Sequence, residues 1–300
     1  MAETPALDRW RTSRLSPGRW AAREVVLAWR CNVTDLTAAV VPGVLTSAAA
    51  WRAQALPVAE LPRVLAEALV YFWLFLCVHT LSNQATGVSE DQVNKPWRPI
   101  PSGLMTVRGA WVRCGLAIAA FLLVGAAVGA TTWTVLWLAM VGLRTYRSLI
   151  RHWYVKNPAI VVGAAALLAA GWQIAGPLTP RAWPWIAAGT AYWLVGFVED
   201  LRDVPGDRRA GRRTLPMVVG ERPVRLVAAC ALTVLPVAAA WLTREAASAG
   251  WWVWTAVLAA GCGSVVVRLT VLRAARQDAL TYQLYCLTWC WLVSGPLFLG

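Results

Sequence analysis

The acidic residues that could perform chemistry in this sequence gather in two clusters, of which the later one is clearer. Asp200, Asp203 and Asp207 are spaced i, i+3 and i+7, which places them on one face of a helix. Three convergent carboxylates suit Mg²⁺, which prefers oxygen ligands, and arginines that follow them, such as Arg212, suit a phosphate that the metal would bridge. The Pro-Gly pair before Asp207 predicts that the helix opens there and that Asp207 comes from a loop. The plainer alternative is a charged loop whose acids only balance its arginines.

The earlier cluster has the same order of groups. Asn83, Glu90 and Asp91 share a helix face, and the cations Lys95 and Arg98 follow at once. Oxygen ligands followed by cations therefore occur at two helix ends. Two such clusters would hold two or more Mg²⁺ ions around one diphosphate. The alternative, in which acids only balance neighbouring cations, explains one such cluster more easily than two.

The composition indicates which elements must position these clusters. Hydrophobic residues make up 58% of the 300 residues and charged residues only 14%, whereas soluble domains have about 45–50% and about 25%. The net charge is +13, but a soluble nucleic-acid-binding protein would have many other polar residues among its cations, and this chain does not. The seven cysteines form no C-x-x-C pair and there are only two histidines, so zinc and redox sites find no support.

We predict an all-α, polytopic membrane bundle of about nine transmembrane helices, because nine stretches approach the roughly 20 apolar residues that a spanning helix needs. The whole chain, 1–300, is predicted to form one transmembrane domain, with a basic cytoplasmic segment at 1–23. The fourth stretch is short and the first has a polar start. The predicted spans are 32–51, 64–84, 108–128, 131–146, 159–176, 183–200, 223–242, 251–271 and 279–299.

Basic residues predict the orientation of these spans. With nine spans, one face of the membrane carries only Arg52, Arg63, Arg181 and Arg244, and the other 24 of the 28 cations lie on the side of the N-terminus. Cytoplasmic segments carry the excess of Lys and Arg. We therefore expect the N-terminus and both acidic clusters to be cytoplasmic and the C-terminus to lie on the other side.

The motifs of both clusters resemble those of the UbiA superfamily of intramembrane prenyltransferases, which are nine-helix bundles. The first family signature is an Asn with Asp at +1, +4 and +8 and an Asn-x-Pro-x-Arg-Pro tail; the second is Asp-x-x-Asp-x-x-x-Asp followed by Gly and Thr-Leu. The resemblance covers essentially the whole chain. The matching residues are Asn83, Asp91, Asn94, Pro96, Arg98 and Pro99 for the first signature, and Asp200, Asp203, Asp207, Gly211, Thr214 and Leu215 for the second.

Two positions depart from the first signature. Gln84 and Gly87 stand where the family has Asp at +1 and +4, and Glu90 is added beside Asp91. This pattern resembles the membrane-bound terpene cyclases of the superfamily. The resemblance implies a Mg²⁺-dependent cyclase that ionises farnesyl or geranylgeranyl diphosphate. The alternative within the enzyme class is a UbiA-type prenyltransferase that moves the prenyl group to an aromatic or other acceptor.

The resemblance also implies roles for individual residues, in contact with a prenyl diphosphate and membrane lipid and with no nucleic acid. Asp91, Asp200 and Asp203 would be catalytic. The implied Mg²⁺ ligands are Asn83, Glu90, Asp91, Asp200, Asp203 and Asp207. The residues that would bind the diphosphate are Lys95, Arg98, Tyr146, Arg147, Arg151, Lys156 and Arg212.

Three further expectations concern residues outside the clusters. The 20 tryptophans would provide apolar walls and attract a carbocation, but tryptophan is also enriched at membrane interfaces, and the sequence does not choose among Trp73, Trp172, Trp193 and Trp289. Asp278 is expected to cap a helix, so that its substitution would be mild. A transporter or lipid-binding scaffold is the alternative outside the enzyme class.

Overall fold

Every regular element of the part of the chain that the structure describes is helical. The computed structural model describes residues 16–146, 149 and 152–298. Short 3₁₀ segments connect or extend several of the α-helices. The α-helices are α1 (Pro17–Asn32), α2 (Val40–Ala53), α3 (Leu61–Thr86), α4 (Val88–Asn94), α5 (Val107–Ala127), α6 (Thr131–Thr145), α7 (Trp153–Ala175), α8 (Trp183–Tyr192), α9 (Glu199–Arg209), α10 (Leu215–Val219), α11 (Glu221–Leu242), α12 (Ala249–Val271) and α13 (Ala275–Val293).

Five helical segments within the described residues are long and apolar enough to cross a membrane. A sixth is added if Pro17–Ala38 and Val40–Ala53, which meet at a bend of 53°, form one span. The expected nine spans are therefore not all confirmed. The helix at the fourth predicted span, α6, has only 15 residues, and the sixth is divided between α8 and α9 by a 3₁₀ segment. The five are Val58–Thr86, Val107–Ala127, Trp153–Ala175, Glu221–Leu242 and Ala249–Val271.

Two of the long helices begin where a side chain provides a partner for one of their first backbone N–H groups. Thr106 accepts a hydrogen bond from the backbone of Gly109 at the start of α5, and Ser248 accepts one from Trp251 at the start of α12. Such caps are worth about 1 kcal/mol each. In the interior, close packing uses glycine: a Cβ at Gly163 would lie 2.2 Å from the ring of Trp137. The helices thus pack at distances that only small residues permit.

The described chain begins and ends on opposite faces of the bundle. Near the start, Glu24 of α1 forms an ion pair with Arg113 at the beginning of α5. At the other face, Arg52, Arg181 and Pro296 line one surface cavity, close to the end of the described chain. The number of membrane crossings and their orientation stay predictions.

Candidate active site

The two acidic clusters meet at one face of the bundle and line a single space of about 380 Å³, here called the polar mouth. It lies between the ends of α3 and α4, the helix α9 and the beginning of α7. Chain segments that are more than 100 residues apart are therefore brought into contact, for example where Lys95 Nζ lies 2.9 Å from Asp203 Oδ2. The lining residues are Asp35, His79, Thr80, Asn83, Glu90, Lys95, Arg98, Arg144, Lys156, Glu199, Asp203 and Arg212.

The contact between α4 and α9 depends on the side-chain amide of Asn94. Its nitrogen donates to the backbone oxygen of Asp203 at 2.8 Å, and its oxygen accepts from the backbone N–H of Gly206 at 2.9 Å. A Cβ on Gly206 would lie 2.4 Å from that amide. The prediction that the helix opens at Pro205 and Gly206 is wrong, because α9 continues to Arg209 with Asn94 as a substitute hydrogen-bond partner. Asp207 therefore comes from a helix and not from a loop.

The end of α9 positions the next cation. Gly211 has φ +66°, a left-handed conformation that glycine adopts without strain. The N–H groups of Gly211 and Arg212 bond back to the carbonyls of Arg208 and Asp207, which is the Schellman pattern of a helix C-terminus. The chain turns sharply there, and Arg212 Nη2 comes to lie 2.5 Å from Glu90 Oε2. The glycine of the second signature thus has a structural reason.

Of the six predicted metal ligands, three line the polar mouth and three lie behind it. Asn83, Glu90 and Asp203 line it. Asp91 instead accepts two hydrogen bonds of 3.0 Å from Nη1 of Arg98 and is only 2% exposed. The other two that lie behind, Asp200 and Asp207, are also buried, and Lys156 donates to Asp200. The predicted catalytic residues are therefore divided, with Asp203 in the mouth and Asp91 and Asp200 in its wall.

The donor set fits Mg²⁺, although its members are not gathered around one point. Among the described residues no three His, Cys, Asp or Glu side chains form a group that could hold a metal ion, because lysines and arginines stand between the carboxylates. One oxygen of Asp200 and both oxygens of Asp207 are nevertheless buried and accept no hydrogen bond within the described part of the chain. Buried carboxylate oxygens without partners are costly, and a divalent cation would satisfy them.

Burial and neighbouring cations act differently on two of these carboxylates. Burial raises the pKa of Asp207 to about 7. Burial opposes ionisation of Asp203 as well, but Lys95 and Arg202 outweigh it and lower the pKa of that carboxyl below its usual value. Asp203 is therefore held as a charged acceptor in the mouth.

The two departures from the first family signature have a visible consequence. Gln84 is fully buried and donates to the backbone oxygen of Cys31 in α1, so it faces another helix. A Cβ at Gly87 would lie 3.2 Å from Nη2 of Arg212 and 3.3 Å from Oε2 of Glu90. The ion pair between Arg212 and Glu90 therefore fills the space into which a carboxylate at position 87 would extend.

The structure brings together four of the seven residues predicted to bind the diphosphate. Lys95, Arg98, Lys156 and Arg212 line the polar mouth. Tyr146, by contrast, lies at the end of α6 with its side chain 65% exposed, outside that lining. The remaining two predicted residues, Arg147 and Arg151, lie outside the described residues.

Below the mouth lies an apolar space of about 610 Å³, here called the chamber. Four residues line both spaces, so that the mouth and the chamber adjoin at these side chains. Of the tryptophans that the sequence left open, Trp193 and Trp289 line the chamber, while Trp172 and Trp73 belong to the surrounding core. The chamber residues are Asp35, Ala38, Ala39, Phe75, Leu76, His79, Trp137, Arg144, Ile160, Gly163, Ala164, Leu167, Trp193, Glu199, Tyr282 and Trp289.

The sequence-based prediction of the site omitted the residues at this junction, Asp35, His79, Arg144 and Glu199. Two of them carried a signal in the sequence: Glu199 directly precedes Asp200, and His79 lies one turn before Asn83, although a histidine packed within a helix bundle was the favoured interpretation. Asp35 gave merely a polar start to the first predicted span, and Arg144 ends a helix like many interfacial arginines. Their convergence depends on the packing of four separate helical segments.

Comparison with known proteins agrees with this geometry. Residues 39–292 match the model of the UbiA prenyltransferase family. The chain is 36% identical over 275 residues to a somaliensene A/B synthase of Streptomyces somaliensis, which is 91% of this chain and 92% of that protein. It is 34% identical to the diterpene cyclase eriG of Hericium erinaceus (91% and 88% covered) and 33% identical to the polyprenyl transferase eriF of the same organism (91% and 94% covered).

Solved structures show the same fold. A UbiA homologue from Archaeoglobus fulgidus bound to GPP and Mg²⁺ aligns with a TM-score of 0.63, covering 89% of this chain and 99% of that one at 13% identity. The helical arrangement described above is thus shared with proteins of very different sequence.

Proposed function

Because the chain belongs to the UbiA prenyltransferase family, we propose that it is a Mg²⁺-dependent terpene cyclase that ionises farnesyl or geranylgeranyl diphosphate and cyclises the carbocation within the membrane. The observation that carries the proposal is that a charged mouth adjoins an aromatic chamber. Two relatives named as a somaliensene A/B synthase and a diterpene cyclase, at 36% and 34% identity over 91% of the chain, support it.

In this reaction the polar mouth holds the diphosphate. Mg²⁺, when bound by the carboxylates of the two clusters, supplies positive charge to the leaving oxygens. Lys95, Lys156 and Arg212 line the same space and stabilise the charge that develops on those oxygens when the bond between carbon and oxygen breaks. The electron pair of that bond leaves with the diphosphate, and an allylic carbocation remains.

The chamber then determines the fate of the carbocation. Its walls are apolar and exclude water, which would otherwise capture the cation. Trp137, Trp193 and Trp289 supply aromatic faces, which attract positive charge. Trp193 and Trp289 meet edge to face with their ring centroids 5.8 Å apart, and this contact fixes the shape of one wall. Alkenes of the same prenyl chain are then the nucleophiles nearest to the cation.

The second candidate is a prenyltransferase, which the 33% identity to the polyprenyl transferase eriF favours. The two functions share the ionisation step and differ in whether an acceptor is needed. Gly87 supports the cyclase, because this site lacks a carboxylate at a position where the ordinary family signature has one, and Arg212 and Glu90 lie where such a side chain would begin.

We expect purified protein in detergent with Mg²⁺ to convert farnesyl or geranylgeranyl diphosphate alone into a cyclic hydrocarbon or cyclic alcohol. In such an assay the alkenes of the same prenyl chain are the only nucleophiles besides water that the carbocation can meet in the chamber. Gas chromatography and mass spectrometry of the organic extract measures the product, and chelation of Mg²⁺ should abolish it. A product that forms only after an aromatic or other acceptor is added, and that carries the prenyl chain, would establish the transferase instead.

We also propose that the whole chain forms one transmembrane domain with the polar mouth on the cytoplasmic side. The support is the position of 24 of the 28 Lys and Arg residues on that side of the predicted spans. The cavity at the other face is lined by Arg52 and Arg181, two of the four remaining cations. Reporter fusions at the two termini should give opposite locations, and a shared location would contradict the orientation.

A further inference from the structure

One cation that lines the polar mouth forms no ion pair within the described residues, whereas Arg98, Lys156 and Arg212 also pair with the carboxylates behind the mouth. Four carboxylates face five cations there, and each carboxylate has one of the cations within 4.0 Å. Arg144 is the cation that remains. The pairs are Arg98 with Asp35 at 3.4 Å, Lys95 with Asp203 at 2.9 Å, Lys156 with Glu199 at 3.8 Å and Arg212 with Glu90 at 2.5 Å.

Arg144 lies at the end of α6, where the mouth and the chamber join. None of the ion pairs within the described residues includes Arg144, so no carboxylate among them lies within 4.0 Å of its nitrogens. Its side-chain contact is with an imidazole, with Nη1 3.5 Å from Nδ1 of His79. Arg144 is only partly exposed, and a guanidinium that lines a cavity without forming an ion pair keeps N–H groups with which it can bind an anion that enters the cavity.

We propose that Arg144 binds the diphosphate group of the substrate at the junction and that His79 positions Arg144 for this contact. The proposal rests on the proposed function only for the identity of the anion. If the diphosphate group lies in the mouth and the prenyl chain in the chamber, the bond that joins them lies at this junction. The N–H groups of a guanidinium form strong, charge-assisted hydrogen bonds with phosphate oxygens. As the bond between carbon and oxygen breaks, its electron pair stays on the diphosphate oxygen, and Arg144 stabilises that charge.

The identity of residue 79 is central to this role. The guanidinium of Arg144 can only donate, so Nδ1 of a neutral His79 accepts and orients it. A neutral acceptor leaves the positive charge of Arg144 available to the substrate. A carboxylate in the same place would orient Arg144 equally well but would neutralise it. The two substitutions His79→Asn and His79→Asp therefore separate orientation from charge with side chains of equal size.

Calorimetric titration with inorganic diphosphate in the presence of Mg²⁺ tests the proposal on the purified full chain in detergent. Arg144→Gln should weaken binding by about 10-fold to 100-fold, the effect of one hydrogen bond to a charged group. His79→Asp should weaken it similarly, whereas His79→Asn should bind nearly as the unmodified protein does. The matched control is Arg113→Gln, because Arg113 is paired with Glu24 away from the mouth.

Thermal unfolding of each variant shows whether it is folded, and the two variants of His79 test the idea even if Arg144→Gln does not fold. Unchanged diphosphate affinity in Arg144→Gln, or equal affinities in His79→Asp and His79→Asn, would overturn the proposal. The outcome is separate from the cyclase function. If Arg144→Gln weakens diphosphate binding but the unmodified protein makes no cyclic product, only the cyclase function is refuted. If the unmodified protein makes a cyclic product but Arg144→Gln binds diphosphate equally well, only the role of Arg144 is refuted.

Discussion

Replacing Asp203 with asparagine is expected to reduce turnover by about 100-fold or more, the usual cost of removing one group that stabilises developing charge. Asp203 lines the mouth, is 4% exposed and accepts a hydrogen bond of 2.9 Å from Lys95. Asparagine keeps the size of the side chain but removes the charge that would bind Mg²⁺. Initial rates of diphosphate release from the prenyl diphosphate measure the effect.

The control for this variant is Glu67→Gln, because Glu67 pairs with Arg63 near the protein surface. It should retain nearly full activity. The Asp203 variant should unfold at a lower temperature, because Lys95 and Arg202 lose a carboxylate partner, so its turnover is measured well below its own melting temperature. An active Asp203→Asn variant would show that the mouth is not the site of ionisation.

Asp278→Ala is expected to destabilise the protein by about 3–5 kcal/mol, which is the cost of removing one partner from a buried ion pair. The expectation that Asp278 only caps a helix is wrong. Ala274 occupies the cap position of α13, and Asp278 is 3% exposed. Its two oxygens each accept a hydrogen bond of 2.7 Å from Arg225. This pair joins α11 to α13, so its loss leaves the buried guanidinium of Arg225 with only the half-exposed Glu221, 3.4 Å away, as a counterion.

Loss of helical signal on heating in detergent measures this effect. The comparison is Glu67→Ala, whose exposed ion pair with Arg63 is worth about 0–1 kcal/mol. Replacing both partners, in Arg225→Met with Asp278→Leu, should recover much of the stability because no unpaired charge remains. Equal melting temperatures for Asp278→Ala and Glu67→Ala would contradict the structural role.

The sequence alone predicted much of the chemistry because the groups concerned are close together along the chain. Asp200, Asp203 and Asp207 lie on one helix, and Lys95 and Arg98 directly follow Glu90 and Asp91. Composition was sufficient to indicate a helical membrane protein, since a chain with 58% hydrophobic residues and 14% charged residues does not fit a soluble domain. The family followed from the two motifs, and the match over residues 39–292 confirms it.

Local rules failed where a distant side chain replaced a local partner. A proline and a glycine predict the end of a helix, yet Asn94, more than 100 residues away in the sequence, bonds to both sides of that point in α9. Asp278 stands near the start of a helix and therefore resembles a capping residue. Its actual partner, Arg225, lies 53 residues earlier, so the neighbouring sequence does not indicate the ion pair. Neither partner is visible from residues near the site it completes.

Only the tertiary structure decided which groups face the substrate space. Glu90 and Asp91 are adjacent in the sequence, but Glu90 lines the mouth and Asp91 is bound to Arg98 behind it. The chamber arises where separate helices meet, and so does the position of Arg144, which forms no ion pair within the described residues. The physical reason is that residue type and spacing determine what a side chain can bind and which helix face it occupies. The packing of helices determines what that face meets.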